Sequence, residues 1–292
     1  MTQDQEKIKR LNHIIQLTDD SEISSIKNIV HGLIKIINDP KSTARDLKEL
    51  IQIDPPLTAR VLRLANSAYY SPRNKIGEIT QAIIWVGYNA IKELAISQKV
   101  CEIFSGNEVI GGYSRNSLWK HSLAVALLGK LIYRREFGQR GENAYVAGLL
   151  HEIGIIVKDQ FFPDEFRATL MKSGSEKLNM VDAENEISGY DHTEIGRAIM
   201  EHWQIPREIA AAINNHHSPE RSPEEYSKLT CTLYVADYFC QRREIGFSDS
   251  PFNDKERFKN IKNKLNLGPN TLDLLIEDVE HEVMKMADQG FF

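Results

Sequence analysis

The stretch IQIDPPLTARVLRLANSAYYSPRNKIGEITQAIIWVGYNAIKELA, residues 51–95, spaces its apolar residues at the helical period found along most of the chain. Pro55 and Pro56 suit the first turn of one helix, which we expect to end near Asn66. Helices over 79–87 and 89–104 are predicted to follow. Strand-like alternation bounded by hairpin turns is absent from the sequence. The stretch therefore predicts a helical fold.

The helical period extends on both sides of this stretch. Thr43 followed by Asp46 resembles a capping box that opens a helix through Ile51. Residues 105–112 are rich in glycine and are predicted to be a loop at a subdomain boundary. The other predicted helices cover residues 26–37, 114–136, 142–159, 163–171, 175–187, 191–203, 206–216, 223–243 and 271–288. The sequence as a whole predicts an all-α class.

Composition limits the classes of function. The chain has 292 residues and a net charge of −5, which gives no electrostatic reason to expect binding to nucleic acid or to an anionic membrane. Cys101, Cys231 and Cys240 form no C-x-x-C pair, so a reduced setting fits best. A secretory signal and an apolar run of about 18 residues are both absent. We therefore expect a soluble, cytoplasmic protein that binds neither nucleic acid nor membrane.

Imidazoles and carboxylates interrupt several of the predicted helices. His151 and Glu152 are adjacent inside the apolar run AYVAGLLHEIGIIV, where burying both is costly unless something binds or pairs them. His216 and His217 form a second adjacent pair at a helix end. Three more residues of these types lie on other predicted helices, namely His121, His192 and Asp237.

Each of these residues has a plainer explanation when it is taken alone. His121 fits a buried core histidine, and Asp237 fits a cap or the partner of an arginine. His216 and His217 fit cations at a helix C-terminus. Together the residues offer imidazole nitrogens and carboxylate oxygens without thiolates. That donor set suits iron, manganese, zinc, cobalt or nickel better than copper(I) or an iron–sulfur cluster.

The stretch 51–95 quoted above, together with the histidine-bearing segments that follow it in this order, resembles the HDOD domain, a bacterial signalling relative of the HD phosphohydrolases. The family's run DP-x-L-x-x-R-x-L-x-x-A-N-S-A-x-Y is met by Asp54, Pro55, Leu57, Arg60, Leu62, Ala65, Asn66, Ser67, Ala68 and Tyr70. Its continuation I-x-x-A-I-x-x-x-G is met by Ile79, Ala82, Ile83 and Gly87. The second half resembles the HD-like part of the family in Trp119-Lys120-His121, AGLLHEIG and GYDHTEIGRAIMEHWQIPREIAAAINNHH.

The resemblance implies an architecture. An N-terminal helical subdomain would pack on an HD-like helical bundle. The domain would cover residues 20–240, divided into subdomains at 20–110 and 111–240. Residues 1–19 would form an N-terminal helix or extension, and residues 241–292 a C-terminal helical extension.

The resemblance also implies a ligand set, carried over from the HD superfamily and its two-metal HD-GYP branch. His121, His151, Glu152 and Asp237 would hold a first metal. Glu152 would bridge to a second, completed by His192, His216 and His217. One or two divalent ions are expected, iron or manganese first, with zinc, nickel or cobalt as alternatives. Arg197 is the candidate phosphate contact, and no catalytic residue is assigned.

Four departures from the active pattern argue against strong catalysis. Glu152 replaces an aspartate, Ile155 stands where a lysine helps to bind phosphate, and no Gly-Tyr-Pro motif follows His217. Ser117 stands where a further carboxylate ligand lies in the two-metal branch. We therefore expect a regulatory module with signalling protein partners, and we do not expect cyclic-di-GMP hydrolysis. The alternatives are a metal-dependent phosphohydrolase or phosphodiesterase with a phosphorylated or nucleotide ligand, and a structural metal.

Overall fold

The computed structural model describes residues 3–67, 70–106, 109–247 and 254–288. Helices dominate these ranges, which confirms the predicted all-α class. Within them, no helix has both the length and the apolar character of a membrane span. The helices are α1 (Gln3–Asp19), α2 (Glu22–Asn38), α3 (Ala44–Gln52), α4 (Pro55–Ala65), α5 (Ile79–Val86), α6 (Tyr88–Cys101), α7 (Arg115–Glu136), α8 (Glu142–Leu150), α9 (Ile153–Phe161), α10 (Pro163–Glu176), α11 (Met180–Ser188), α12 (His192–His202), α13 (Arg207–Asn215), α14 (Ser227–Arg242), α15 (Lys255–Lys264) and α16 (Thr271–Asp288).

The chain divides into two compact units. The small unit consists mainly of residues 22–103, and the large unit consists of residues up to 21 together with 104–284. Each unit buries its own apolar core, such as Leu33 and Val61 in the small unit and Leu149 in the large one. All seven candidate metal ligands belong to the large unit. The limits of the family domain, residues 20 and 240, remain a prediction.

The helix starts in the small unit follow the sequence signals. Thr43 and Asp46 form the predicted capping box at the start of α3, each side chain accepting the backbone N–H of the other. Pro55 and Pro56 occupy the first turn of α4, and the Asp54 carboxylate caps it by accepting the Leu57 N–H at 2.9 Å. The family motif thus begins with a helix cap.

Asp54 also joins α4 to α6. The Lys99 ammonium donates to Asp54 and, at 2.7 Å, to Glu102. The side chains of Lys99 and Asp54 are only 7% and 12% exposed. Burial opposes ionisation of Asp54, but hydrogen bonds from Lys99 and from the Leu57 N–H hold its pKa below the ordinary value. This ion pair stabilises the helix arrangement of the small unit.

In the large unit, α7 packs on α8 and α14. Gly148 permits the close approach of α8, because a Cβ at this position would lie 2.4 Å from the Cα of Ala126 on α7. Further along, α9 packs on α12, α12 on α13, and α13 on α14. These contacts connect every helix that carries or borders a candidate ligand.

The single helix predicted over 142–159 is wrong. α8 ends at Leu150 and α9 begins at Ile153, so His151 and Glu152 lie in the turn between them. Glu152 has φ −99° and ψ 13°, away from helical values. The apolar residues on both sides of the turn are buried, and the continuous apolar pattern therefore concealed the break.

The break predicted between helices 163–171 and 175–187 is also misplaced. α10 continues from Pro163 to Glu176 and ends where Lys177 adopts a left-handed conformation with φ 56°. α11 begins later than predicted, after Asn179, whose side chain accepts the Asp182 N–H at 2.8 Å. The separate helix expected from residue 175 therefore starts five residues further on, at Met180.

The predicted loop over 105–112 contains part of a short hairpin. Strand β1 (Val109–Ile110) pairs antiparallel with strand β2 (Tyr113–Ser114). Gly111 and Gly112 have φ values of 54° and 89°, the positive angles that a tight two-residue turn requires. Strands of two residues are too short to show alternation in a sequence, which explains why they were not predicted.

Replacing Asp54 by Asn is expected to lower the free energy of unfolding by about 1–3 kcal/mol near neutral pH. Asn keeps the helix cap but loses the charge that pairs with Lys99. The folded-state pKa of Asp54 lies below the ordinary 3.8. Its contribution is therefore present above that pH and is lost as the pH falls through the folded value. Urea denaturation of both proteins across this pH range measures the difference.

Asp46→Asn is the matched control, because Asp46 is also a carboxylate at the start of a helix but is exposed and has no buried cation beside it. Its replacement is expected to cost less than the replacement of Asp54. Equal losses at the two positions, or a loss at Asp54 that does not change with pH, would contradict the assigned role of the buried pair.

Candidate metal centre

The seven candidate ligands lie in one cluster inside the large unit. They come from α7, the turn between α8 and α9, the first turn of α12, the end of α13, and α14. Six of them are no more than 1% exposed, whereas His217 is partly exposed. In the order of the chain these residues are His121, His151, Glu152, His192, His216, His217 and Asp237.

Four of these side chains form the first half of the cluster. His121 Nε2 lies 3.0 Å from Asp237 Oδ1, and His151 Nε2 lies 4.0 Å from the same oxygen. One ligand atom from each of His121, His151 and Glu152 falls within 4.8 Å of the others. Because metal–ligand bonds are about 2.0–2.2 Å long, two ligands of one ion lie within roughly 4.4 Å of each other. The first half is therefore close to the size of a single-ion site.

Three histidines form the second half. His192 Nε2 lies 3.1 Å from His217 Nε2, and the ring centroids of His216 and His217 are 4.0 Å apart. One ligand atom from each of the three rings falls within 4.8 Å of the others. The adjacent pair at the end of α13 can thus face one point because the helix has ended there.

Glu152 connects the two halves. Its Oε1 lies 3.6 Å from His151 Nε2, and its Oε2 lies 3.4 Å from His192 Nε2. The rings of His151 and His216 are also close, with centroids 5.1 Å apart. Each carboxylate oxygen of Glu152 therefore faces a different half, which is the arrangement a bridging ligand needs.

The backbone fixes which nitrogens are free to bind. His151 Nδ1 lies 2.7 Å from the Gly148 carbonyl, and His216 Nδ1 lies 2.7 Å from the Ile213 carbonyl. A carbonyl only accepts, so both rings carry their proton on Nδ1 and present a lone pair at Nε2. Burial lowers the pKa of His151 to about 3 and that of His216 well below its ordinary value, so both rings are neutral at neutral pH.

The residues fit a divalent transition metal. His151 Nε2, His216 Nε2 and Asp237 Oδ2 are buried and have no hydrogen-bond partner among the described residues. Unpartnered buried polar atoms are costly, and several of them pointing into one cluster indicate an ion. Neutral imidazoles and carboxylates are the donors that iron, manganese and zinc accept. Which ion binds, and how many, stay predictions.

The first turn of α12 lies directly against the first turn of α9, next to the turn that carries Glu152. Asp191 caps α12 by accepting the N–H groups of Thr193 and Glu194 at 3.0 and 3.2 Å. A Cβ on Gly154 would lie 2.0 Å from the carbonyl oxygen of His192. Only glycine permits this approach, which brings His192 to within reach of Glu152.

Sequence reasoning missed the residue that orients His192. Glu184 on α11 is fully buried, and its Oε2 accepts from His192 Nδ1 at 2.7 Å and from the His192 N–H at 3.0 Å. The ring proton is therefore on Nδ1, and Nε2 faces His217. The spacing of Met180, Glu184 and Ser188 by four residues places them on one buried helix face. This spacing, with a glutamate on the buried face of a helix, is the sequence pattern that could have indicated Glu184.

The positions at which the active family pattern binds phosphate or a further ion offer no free side chain here. Ile155 is buried, and the nearest lysine on α9, Lys158, is 2% exposed and lies 3.3 Å from Glu184 Oε1. Lys158 Nζ also donates to the Tyr190 carbonyl at 3.0 Å. Ser117 serves in the capping box of α7 with Ser114.

Arg197, the predicted phosphate contact, bonds side chains of its own neighbourhood. Its Nη1 donates to both carboxylate oxygens of Glu201 at 3.1 Å, and its Nε donates to Asn214 at 3.2 Å. The described contacts of Arg197 include none of the seven ligands. Its assignment as a phosphate contact stays a prediction.

Comparison with known proteins identifies the family. A family model described as the HDOD domain matches residues 23–219. The chain belongs to the HDOD family. The matched range includes six of the seven candidate ligands and ends before Asp237.

Solved structures of similar sequence share this HDOD fold. An HDOD domain protein of unknown function from Geobacter sulfurreducens is 28% identical, with 91% of this chain and 92% of that one covered and a TM-score of 0.75. A protein from Shewanella amazonensis SB2B, provisionally described as a phosphohydrolase, is 26% identical, with 90% and 91% covered and a TM-score of 0.64.

Among sequence relatives, an uncharacterised protein of Treponema pallidum (strain Nichols) is 25% identical over 229 residues, which span 74% of this chain and 42% of that protein.

Replacing Glu184 by Gln in this HDOD chain is expected to weaken metal binding about tenfold or more. The neutral amide accepts the His192 Nδ1 proton less strongly than the carboxylate does, so His192 becomes a less basic and less firmly oriented ligand. Titration calorimetry of the metal-free protein with manganese measures the change. Glu186→Gln is the control, because Glu186 lies on the same helix and pairs at the surface with Lys172. Equal affinities in Glu184→Gln and Glu186→Gln would contradict the orienting role.

Proposed function

We propose that this chain is a regulatory HDOD module of a signalling system, which holds one or two divalent transition-metal ions and lacks strong hydrolytic activity. The observation that carries the proposal is the enclosure of the cluster. Six of the seven ligands are at most 1% exposed, and only His217 among the seven is partly accessible. A site of this kind can hold an ion firmly but offers little surface to a substrate.

The surroundings of the cluster support the same proposal. Phosphoryl transfer depends on cations that neutralise the charge developing on the phosphate. Lys158 is paired with Glu184, and Arg197 is paired with Glu201. Neither cation is free to take that part without breaking an existing pair.

The proposed module acts through other proteins. Its output would be binding to a signalling partner, and the metal would fix the conformation that the partner recognises. A cytoplasmic location belongs to this proposal and agrees with the three free cysteines, of which Cys231 and Cys240 are buried.

A metal-dependent phosphohydrolase is the second candidate. The bridging position of Glu152 between two groups of ligands favours it, as does the provisional description of the Shewanella protein. A pair of ions, when bound, lowers the pKa of a water and stabilises the oxygens of an in-line displacement. In that case the chain's own residues would hold the ions, and substrate would approach from the side of His217.

Metal content, stability and turnover, measured together, separate these candidates. Protein purified without a histidine tag is expected to contain one or two divalent ions per chain by elemental analysis, and His151→Ala is expected to lose most of them. At a free metal concentration about one hundred times the Kd, binding raises the free energy of unfolding by about 2.7 kcal/mol. That gain should appear in the wild type and be absent from His151→Ala, as thermal denaturation will show.

His281→Ala is the matched control, because His281 is exposed on α16 and lies outside the cluster. Turnover of a model phosphodiester with manganese or iron(II), present in the control and absent in His151→Ala, would establish the hydrolase instead. A His151→Ala chain that fails to fold would indicate a structural metal. Protein that binds no divalent metal would overturn the regulatory metal-binding module, the hydrolase and the structural metal alike.

A further inference from the structure

A concave site lies in the large unit, and its lining includes Asn215, the residue that precedes His216. It is a cleft of about 740 Å³ formed by the end of α12, by α13 and by the segment between α13 and α14. None of the seven candidate ligands lines it. Its volume is within the usual range for pockets that bind small organic molecules.

The charged groups of the cleft are mostly arginines. Arg197, Arg207 and Arg221 line it, and among the described residues of the lining Glu201 is the only acidic one. Glu201 is already held by Arg197, with both carboxylate oxygens accepting from Nη1. Arg207 and Arg221 are exposed. Glu220, the neighbour of Arg221 along the chain, is bonded to Arg257, and among the described residues no carboxylate forms a salt bridge with Arg207 or Arg221. The described lining therefore holds two more arginines than carboxylates, in a protein whose net charge is −5.

Guanidinium groups in the lining of a cleft are well suited to phosphate. Each presents a planar fork of donors that matches two phosphate oxygens. Three of them around one space suit a ligand with more than one negative charge. A single carboxylate would leave most of these donors unused.

The rest of the lining is suited to an organic group. Ile205, Ala210, Ala211 and Pro223 provide apolar surface, and Tyr226 provides an aromatic ring at the same cleft. The side-chain amide of Asn214 adds a polar group beside them. Apolar and aromatic surface next to a few polar groups is the common composition of pockets that bind a planar ring.

We propose that this cleft binds a nucleotide carrying two or more phosphates, with Arg207 and Arg221 on the phosphates and the apolar surface near Tyr226 on the base. Arg197 would contribute after exchanging part of its contact with Glu201. Arg221 lies four residues after His217, so the nucleotide would contact the segment that directly follows the candidate metal ligands His216 and His217.

Titration calorimetry with the four common ribonucleoside triphosphates tests the proposal, using the protein with its metal. At least one is expected to bind, and Arg207→Glu/Arg221→Glu is expected to weaken it about thirtyfold or more, since two charge-assisted contacts become repulsive. The gentler Arg207→Gln/Arg221→Gln variant should show a smaller loss. Arg134→Glu/Arg140→Glu, which reverses two exposed arginines outside the cleft, should leave affinity within about twofold.

His151→Ala separates the cleft from the metal centre. Nucleotide binding that persists in His151→Ala and is lost in the Arg207/Arg221 variants supports the proposal. Binding lost in His151→Ala and retained in the arginine variants would place the nucleotide on the metal and overturn it. Absence of binding at millimolar concentrations, or pyrophosphate binding as tightly as every triphosphate, would also overturn it. Circular dichroism of each variant confirms that it is folded.

Discussion

The structure of the large unit depends on the burial of ionisable groups in its interior. Glu152 and Asp237 are enclosed with His151, His192 and His216, and isolated charges in such a place would cost several kcal/mol each. Burial keeps the rings of His151 and His216 neutral by lowering the pKa of each, and each of the three rings places its Nδ1 against a backbone carbonyl or a carboxylate. What remains is a set of lone pairs facing inward, and a cation is the simplest group that can satisfy all of them.

The same requirement explains which groups surround the cluster. Glu184 orients His192 and is itself compensated by Lys158, so a negative and a positive charge are buried as a unit. Lys158 lies on the same helix as Ile155, three residues further along the chain. It is the one lysine of α9, and it is engaged with Glu184 and the Tyr190 carbonyl. This engagement supports the proposed function, in which the cluster is stabilised by its surroundings.

Much of this could be predicted from sequence. Local signals predicted the helix starts correctly, as the capping box of Thr43 and the prolines of α4 show. These signals depend only on residues that are close together in the sequence, as the apolar periods do. The break at His151 and Glu152 could not be predicted from periodicity, because buried residues continue on both sides of it. The role of Glu184 depends on a contact between α11 and α12. The convergence of the seven side chains followed from the family resemblance, since spacing along the chain says little about which distant helices meet.

Gly154 has a consequence for how this centre could respond to binding elsewhere. Because it lacks a side chain, the main chains of α9 and α12 touch directly, and the gap between Glu152 and His192 is set by the helix axes. A displacement of α12 relative to α9 would therefore move the backbone of His192 relative to that of Glu152, and the C-terminal end of α12 would move with its first turn.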